Sequence, residues 1–197
     1  MELQDNTFHS LGDFIQSDLS ALTHVAVQPK FNKILDRGAS SIGDGLKNCT
    51  ELIILDINLS SNNIGQDGAA SIGRGLSKCQ KLQTLKLNMN NTFIGENGAS
   101  SIGAALVYCS QLTILSLILS KCDRSRNRQL QVTYQSKLKN QISDVGASQI
   151  GEGLKNCSQL TYLSFSLSSN QIKCDGASRI GEGLSSCTKL TTLDFSM

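Results

Sequence analysis

The chain has 197 residues, 39% of them hydrophobic but only 5% aromatic and none Trp, so a core of one domain has to be built from Leu, Ile, Ala and Cys. Its net charge is +2, and residues 121–138 alone carry +4 (Lys121, Arg124, Arg126, Arg128 and Lys137 against Asp123). The remainder is nearly neutral, which excludes the broad electrostatic footprint of non-specific nucleic-acid or membrane-surface binding.

The opening residues MELQDNTFHSLGDF are polar and acidic, so no secretory signal is expected, and no run approaches the roughly 20 apolar residues of a bilayer span. Seven Cys, an odd number, point to reduced thiols and a cytoplasmic or nuclear location. The first predicted element is a helix with Phe8, Leu11, Ile15 and Leu19 on one face and Asp13, Gln16 and Ser17 toward water. Residues 1–21 are therefore expected to form a capping half-repeat.

A strand follows at Leu22, Val25 and Val27, and its pattern returns 30 residues later at Leu52, Leu55 and Ile57. The same periodicity runs through the chain, because Cys49, Cys79, Cys109, Cys157 and Cys187 are separated by 30, 30, 48 and 30 residues, and Gly38, Gly68, Gly98, Gly146 and Gly176 follow suit. The long interval places an insertion at about 121–138, within the repeat 112–159.

Each unit reads as a short helix and then a strand. In the helical half Ala69, Ile72 and Leu76 share one face, with Asp67 in the N-cap slot that Asn97 and Asp175 also occupy. In the strand half Leu52, Leu55, Ile57 and Leu59 point inward while Asp56 and Asn58 point outward, a period of two. Leu82, Leu85, Leu87 and Met89 repeat it. The sixth strand, Leu190 to Phe195, is followed only by Ser196 and Met197, so an uncapped edge is expected, either within a longer array or open to stacking by another chain. A single unit cannot bury its own apolar strip, so neighbours must stack into one continuous core.

The pattern L-x-x-L-x-L followed by Asn-Asn-Ile-Gly-Gln-Asp-Gly-Ala and a helix resembles the ribonuclease-inhibitor type of leucine-rich repeat, over nearly the whole chain. The resemblance implies an α/β, right-handed solenoid of six strands, residues 1–197, with a parallel sheet on the concave face and helices on the convex face. It also implies an asparagine ladder bonding the backbone, with Asn62, Asn140 and Asn170 in the slot and Thr92 departing from it. Similar arrays occur in protozoan proteins, some carrying a kinase-type domain, although neither a kinase glycine loop nor a catalytic-loop motif is present here. The related fold also includes Ran-type GTPase activators, which makes a regulator of that kind, or a repeat piece of a kinase-linked signalling protein, the rival reading.

Catalytic parts are scarce. Gly43, Gly73, Gly103, Gly151 and Gly181 fall inside the predicted helices and not between strand and helix, so they read as small residues for close helix-to-sheet approach and not as a nucleotide loop. The five periodic Cys lack C-x-x-C pairing and read as buried small hydrophobes; Cys122 and Cys174 fall in loops as the more reactive thiols. With two His, both in the first repeat, no catalytic residue, metal site or cofactor is assigned.

The expected function is instead a non-catalytic protein-binding module using the outward strand residues Ile54, Asp56, Lys86, Ile114, Ile118, Tyr162 and Ser164. Ile114, Ile118 and Tyr162 are expected to form one outward apolar patch, the composition of a binding hot spot. In the insertion, Leu130, Val132 and Tyr134 alternate like a strand, and Arg124, Arg126 and Arg128 are candidate contacts for an acidic partner or RNA. Elsewhere the partner is expected to be a protein, with neither membrane nor nucleic acid involved.

Overall fold

The structure, a computed structural model, describes residues 6–29, 34–120 and 140–197. Strands and helices alternate along the chain as β1 (Thr7–Phe8), α1 (Leu11–Gln16), β2 (His24–Val27), α2 (Asp36–Leu46), β3 (Ile54–Asn58), α3 (Gln66–Leu76), β4 (Thr84–Asn88), α4 (Gly95–Leu106), β5 (Ile114–Ile118), α5 (Asp144–Leu154), β6 (Tyr162–Ser166), α6 (Cys174–Ser185) and β7 (Thr192–Ser196). The strands form one sheet in chain order, every neighbour parallel, with the helices stacked behind it as an α/β solenoid.

The sheet has seven strands and not six, because Thr7 and Phe8 pair with Ala26 and Val27 ahead of the repeats. That strand takes Phe8 out of the opening helix. Residues 11–16 then turn Phe14 into the core, fully buried, and leave Ile15 48% exposed, so the helix presents a different face from the one expected. Phe8 still meets the core, edge-to-face on Phe14 with ring centroids 5.4 Å apart.

In the strand halves the period of two holds. Leu52, Leu55, Ile57 and Leu59 are fully buried, as are Leu82, Leu85 and Met89 in the next layer, and Ala69, Ile72 and Leu76 close the core from the helix side. Each fully buried Leu or Ile contributes about 1.5–3 kcal/mol, while each helical Gly costs roughly 1 kcal/mol relative to Ala. One buried aliphatic side chain therefore offsets a helical glycine, and stability rests on stacking.

The repeated glycines serve helix-to-helix contact and not helix-to-sheet approach. A Cβ on Gly73 would sit 2.6 Å from the Ser101 carbonyl carbon of the next helix, and one on Gly103 2.5 Å from that of Gln149. Gly43 and Gly151 would strike the Ser71 and Arg179 carbonyls in the same way, whereas Gly181, on the last helix, meets nothing within 4 Å. The second glycine of the motif faces backward, since a Cβ on Gly75 would strike the Gly43 carbonyl.

The helix starts lie earlier than Asp67, Asn97 and Asp175, which fall in the first turns; the N-cap positions are Gly65, Ile94 and Lys173. None of these three supplies a side-chain cap, and for two of the helices the preceding repeat supplies it. Asp36 Oδ1 accepts the Gly65 and Gly68 N–H groups, and Asp144 Oδ1 accepts those of Lys173 and Gly176.

The asparagine column crosses between repeats. Asn62 Oδ1 accepts the Ile34 N–H at 2.9 Å while its amide donates to Leu59 O, and Asn170 does the same with Ile142 N–H and Leu167 O. Thr92 stands in the slot as a hydroxyl, donating to Met89 O and to Asn140 Oδ1, and the Asn140 amide reaches Met89 O, Leu119 O and Ser120 O. The expected insertion, with Arg124, Arg126, Arg128 and the Leu130–Val132–Tyr134 alternation, lies outside the described residues. The ladder is continuous across the insertion, for β5 pairs with β6 residue by residue.

Candidate functional site

Parallel pairing without a slip fixes which outward side chains are neighbours. One row runs His24, Ile54, Thr84, Ile114, Tyr162, Thr192 along the strand starts; the next runs Ala26, Asp56, Lys86, Ser116, Ser164, Asp194. At the strand ends Asn58, Asn88, Ile118, Ser166 and Ser196 align, with Gln28 just past the end of β2. Strands are roughly 4.8 Å apart, so side chains within a row touch or nearly touch.

Ile114 and Tyr162 are direct register partners on the outward face, Ile114 partly exposed and Tyr162 38% exposed. Ile54 stands in the same row, separated from Ile114 by Thr84. Ile118 is set apart from this pair: it lies four residues farther along β5, roughly 13 Å at the rise of a strand, with Ser116 between. It belongs to a depression of about 270 Å³ lined also by Gln28, Asp56, Asn58, Lys86, Asn88 and Ser116. The face thus carries an apolar strip along the strand starts and a polar hollow along the strand ends.

Asp56 and Lys86 are register partners, yet among the described residues neither is in an ion pair. The Asn58 and Asn88 side-chain oxygens each accept a hydrogen bond two residues on, from Ser60 and Asn90, which holds both carboxamides in place at the rim of the hollow. Ser164 is engaged within the face, its hydroxyl donating to Asp194 Oδ2 at 3.3 Å, and Ser166 bonds Ser120 and Ser196 through hydroxyls. Sequence reasoning did not find the hollow. Its signal was the amide column Gln28, Asn58 and Asn88, which becomes meaningful only once register is fixed.

A larger cavity of about 850 Å³ lies at the other side of the first repeat, between α1 and α2, lined by His9, Asp13, Leu35 and Arg37 among others. Pro29 and Ile34 line it as well.

Most of the described groups suited to nucleophilic chemistry are held in structural bonds. His24 is hydrogen-bonded to Thr23 Oγ1 at 2.8 Å and His9 to the Gln28 carbonyl at 3.3 Å. Arg74, on the helix face, donates to Ser71 Oγ. Burial raises the Cys49 thiol to about 11 and those of Cys109 and Cys157 to about 12, and Cys79 and Cys187 move in the same direction. Each of these thiols points at a helix carbonyl of its own repeat, and those of Cys79, Cys157 and Cys187 also at one of the preceding repeat, as Cys79 does at Gly75 O and Leu46 O. Cys174 is exposed at the start of α6, and Cys122 lies outside the described residues. Among the described residues no group of three or more His, Cys, Asp and Glu is placed to hold a metal ion, and no helix is long and apolar enough to cross a membrane.

A leucine-rich-repeat family model matches residues 54–73 and 78–103. Among solved structures the chain is similar to the tropomodulin C-terminal domain of Caenorhabditis elegans, at 12% identity and a TM-score of 0.53, over 91% of this chain and 94% of that one. No curated protein matches the chain. Together with the sheet and its stacked helices, these likenesses make the fold a leucine-rich-repeat solenoid.

Proposed function

We propose that the chain is a non-catalytic module, a single repeat domain spanning residues 1–197, that binds a protein partner on the concave face of its sheet. The observation that carries this reading is the register pair Ile114–Tyr162, two apolar side chains side by side on the solvent face of a rigid parallel sheet. Backbone pairing on both sides fixes their positions before any partner arrives, so little ordering entropy is lost on binding. A Tyr packed beside an aliphatic residue is the composition of an interface anchor, whose truncation costs of order 2 kcal/mol.

Around this anchor Ile54 extends the apolar strip, and Asp56, Lys86 and Ser164 offer charges and a hydroxyl that set orientation. Ile118, with the amides of the hollow, makes the second contact. Arg124, Arg126 and Arg128 of the insertion are proposed as an additional acidic-partner or RNA contact. The ribonuclease-inhibitor-like repeat type and a reducing compartment, cytoplasm or nucleus, complete the reading. Thiols used as packing and hydrogen-bonding groups at the five junctions from α2–β3 to α6–β7 support the latter.

The test is crosslinking from cell lysate with identification of the captured protein by mass spectrometry, comparing wild type with Ile114→Asp plus Tyr162→Ala after circular dichroism shows both folded. A partner captured by the wild type and lost with the pair supports the concave face. A partner retained equally by both removes it.

A further inference from the structure

The repeat makes each helix a control for its neighbours, and α4 departs from them at its C-terminal end. In α2 and α5 the solvent-facing last turn carries an acid–lysine pair three residues apart, Asp44 with Lys47 at 2.6 Å and Glu152 with Lys155 at 2.8 Å. The equivalent residues of α4 are Ala104 and Val107, and the next position, Asn in both of those repeats, is Tyr108. Val107 is 38% and Tyr108 54% exposed, and Ala104 is exposed as well. Spacings of three and four put all three on one side of the helix end. Single exposed apolar residues need no explanation, but here an ion pair and an amide have all been exchanged for apolar side chains at the end of one helix and in the turn that follows it.

The flank on the α3 side is basic. On α3 the equivalent positions hold Arg74 and Lys78, and among the described residues neither has an acidic partner; Arg74 bonds only the Ser71 hydroxyl. On the α5 side Lys155 is shared between Glu152 and Glu182. Equivalent side chains of adjacent repeats are within reach of each other, as Lys81 and Glu51, 30 residues apart, show at 2.6 Å. Arg74 and Lys78 therefore border the apolar surface as cations that, among the described residues, are in no ion pair.

We infer that Ala104, Val107 and Tyr108 form a second docking surface, on the convex side, for an acidic amphipathic segment of a protein partner. Its apolar side chains cover Tyr108 and Val107, and its carboxylates meet Arg74 and Lys78. The surface is independent of the concave-face reading, since it uses the helix layer and none of the strand residues.

The experiment is fluorescence anisotropy of the full chain with short labelled peptides: one with Leu at helical spacing among Glu residues, one with Lys in place of Glu, and one scrambled. The acidic amphipathic peptide is expected to bind, more weakly as salt rises, and the other two are not. Binding is expected to fall about tenfold or more in Ala104→Glu/Val107→Lys/Tyr108→Asn, which installs the surface of the next repeat and so keeps the fold. It is expected to fall also in Arg74→Glu/Lys78→Glu, and to persist in Ile114→Asp/Tyr162→Ala. No binding of the acidic peptide, equal binding of the Lys peptide, or loss only in the strand-face variant would overturn the inference.

Discussion

Asp36 and Gly68 belong to different repeats, and a single carboxylate oxygen joins them: Asp36 Oδ1 accepts the Gly68 N–H at 3.0 Å and the Gly65 N–H at 2.7 Å. The first residue of α2 thereby caps α3, whose own N-cap is a glycine. Asp144 caps α6 across the next such boundary, with Gly176 N–H at 3.0 Å and Lys173 N–H at 2.7 Å. Because the cap crosses a boundary, it couples two units where an ordinary cap stabilises one. Asp36→Ala or Asp144→Ala is expected to lower stability by about 1–2 kcal/mol, measured as a shift of the urea midpoint. Asn at either position retains part of the effect through its side-chain oxygen. An unchanged midpoint for Asp36→Ala would show that the inter-repeat cap carries no stability.

Two chemically identical substitutions are expected to have opposite signs. Gly151 faces the Arg179 carbonyl, so Gly151→Ala must push α6 away and is expected to cost about 1–3 kcal/mol. Gly181 faces open space on the last helix, so Gly181→Ala gains the helix propensity of Ala, up to about 1 kcal/mol. Thermal melts of the two variants beside wild type decide it. Equal effects would mean that propensity alone, and not contact between helices, governs the glycines.

The two periods, the 30-residue repeat and the inward set Leu52, Leu55 and Ile57 were legible because burial imposes them on the sequence directly. The inter-strand register followed from the same offset, and with it the adjacency of Ile114 and Tyr162. What escaped depends on atoms that periodicity does not carry. Phe8 has the apolar character of a helix face and of a strand equally, and its pairing opposite Val27 decided for the strand. Asp67 looked like an N-cap because the true cap, Asp36, lies a full repeat away in sequence. The division of the outward face into an apolar strip and an amide-lined hollow depended on where along β5 each isoleucine stands, and not on its being outward.

Asn140 is expected to be the least replaceable polar residue described. It is fully buried, its backbone φ is 45°, and it compensates for the threonine at position 92 by accepting from Thr92 Oγ1 and from Ile94 N–H. Its amide also serves Met89 O, Leu119 O and Ser120 O. Asn140→Ala strands several buried groups at once, each worth about 1–3 kcal/mol when left unsatisfied. A loss of at least about 3 kcal/mol in denaturant unfolding is expected, against a much smaller loss for Asn170→Ala, whose site is only partly buried. Similar losses for the two would remove the special role of Asn140.

The buried cysteines make stability fall on the alkaline side. In the folded chain burial holds Cys49 near 11 and Cys109 and Cys157 near 12, and raises Cys79 and Cys187 in the same direction, while in the unfolded chain all titrate near the usual thiol value of about 9. The raised values mean that the folded state keeps protons which the unfolded state gives up. The contribution is therefore fully present below pH about 9 and is lost progressively as pH rises toward the folded values of about 11–12. Unfolding midpoints measured from pH 8 to pH 11 under reducing conditions should decline, and Cys109→Ala should flatten the decline. Under native conditions at neutral pH a thiol-reactive dye should label exposed Cys174 quickly and the five junction cysteines only after denaturant is added. Rapid native labelling of Cys109 would mean that the helix-to-strand junctions open far more readily than their burial implies.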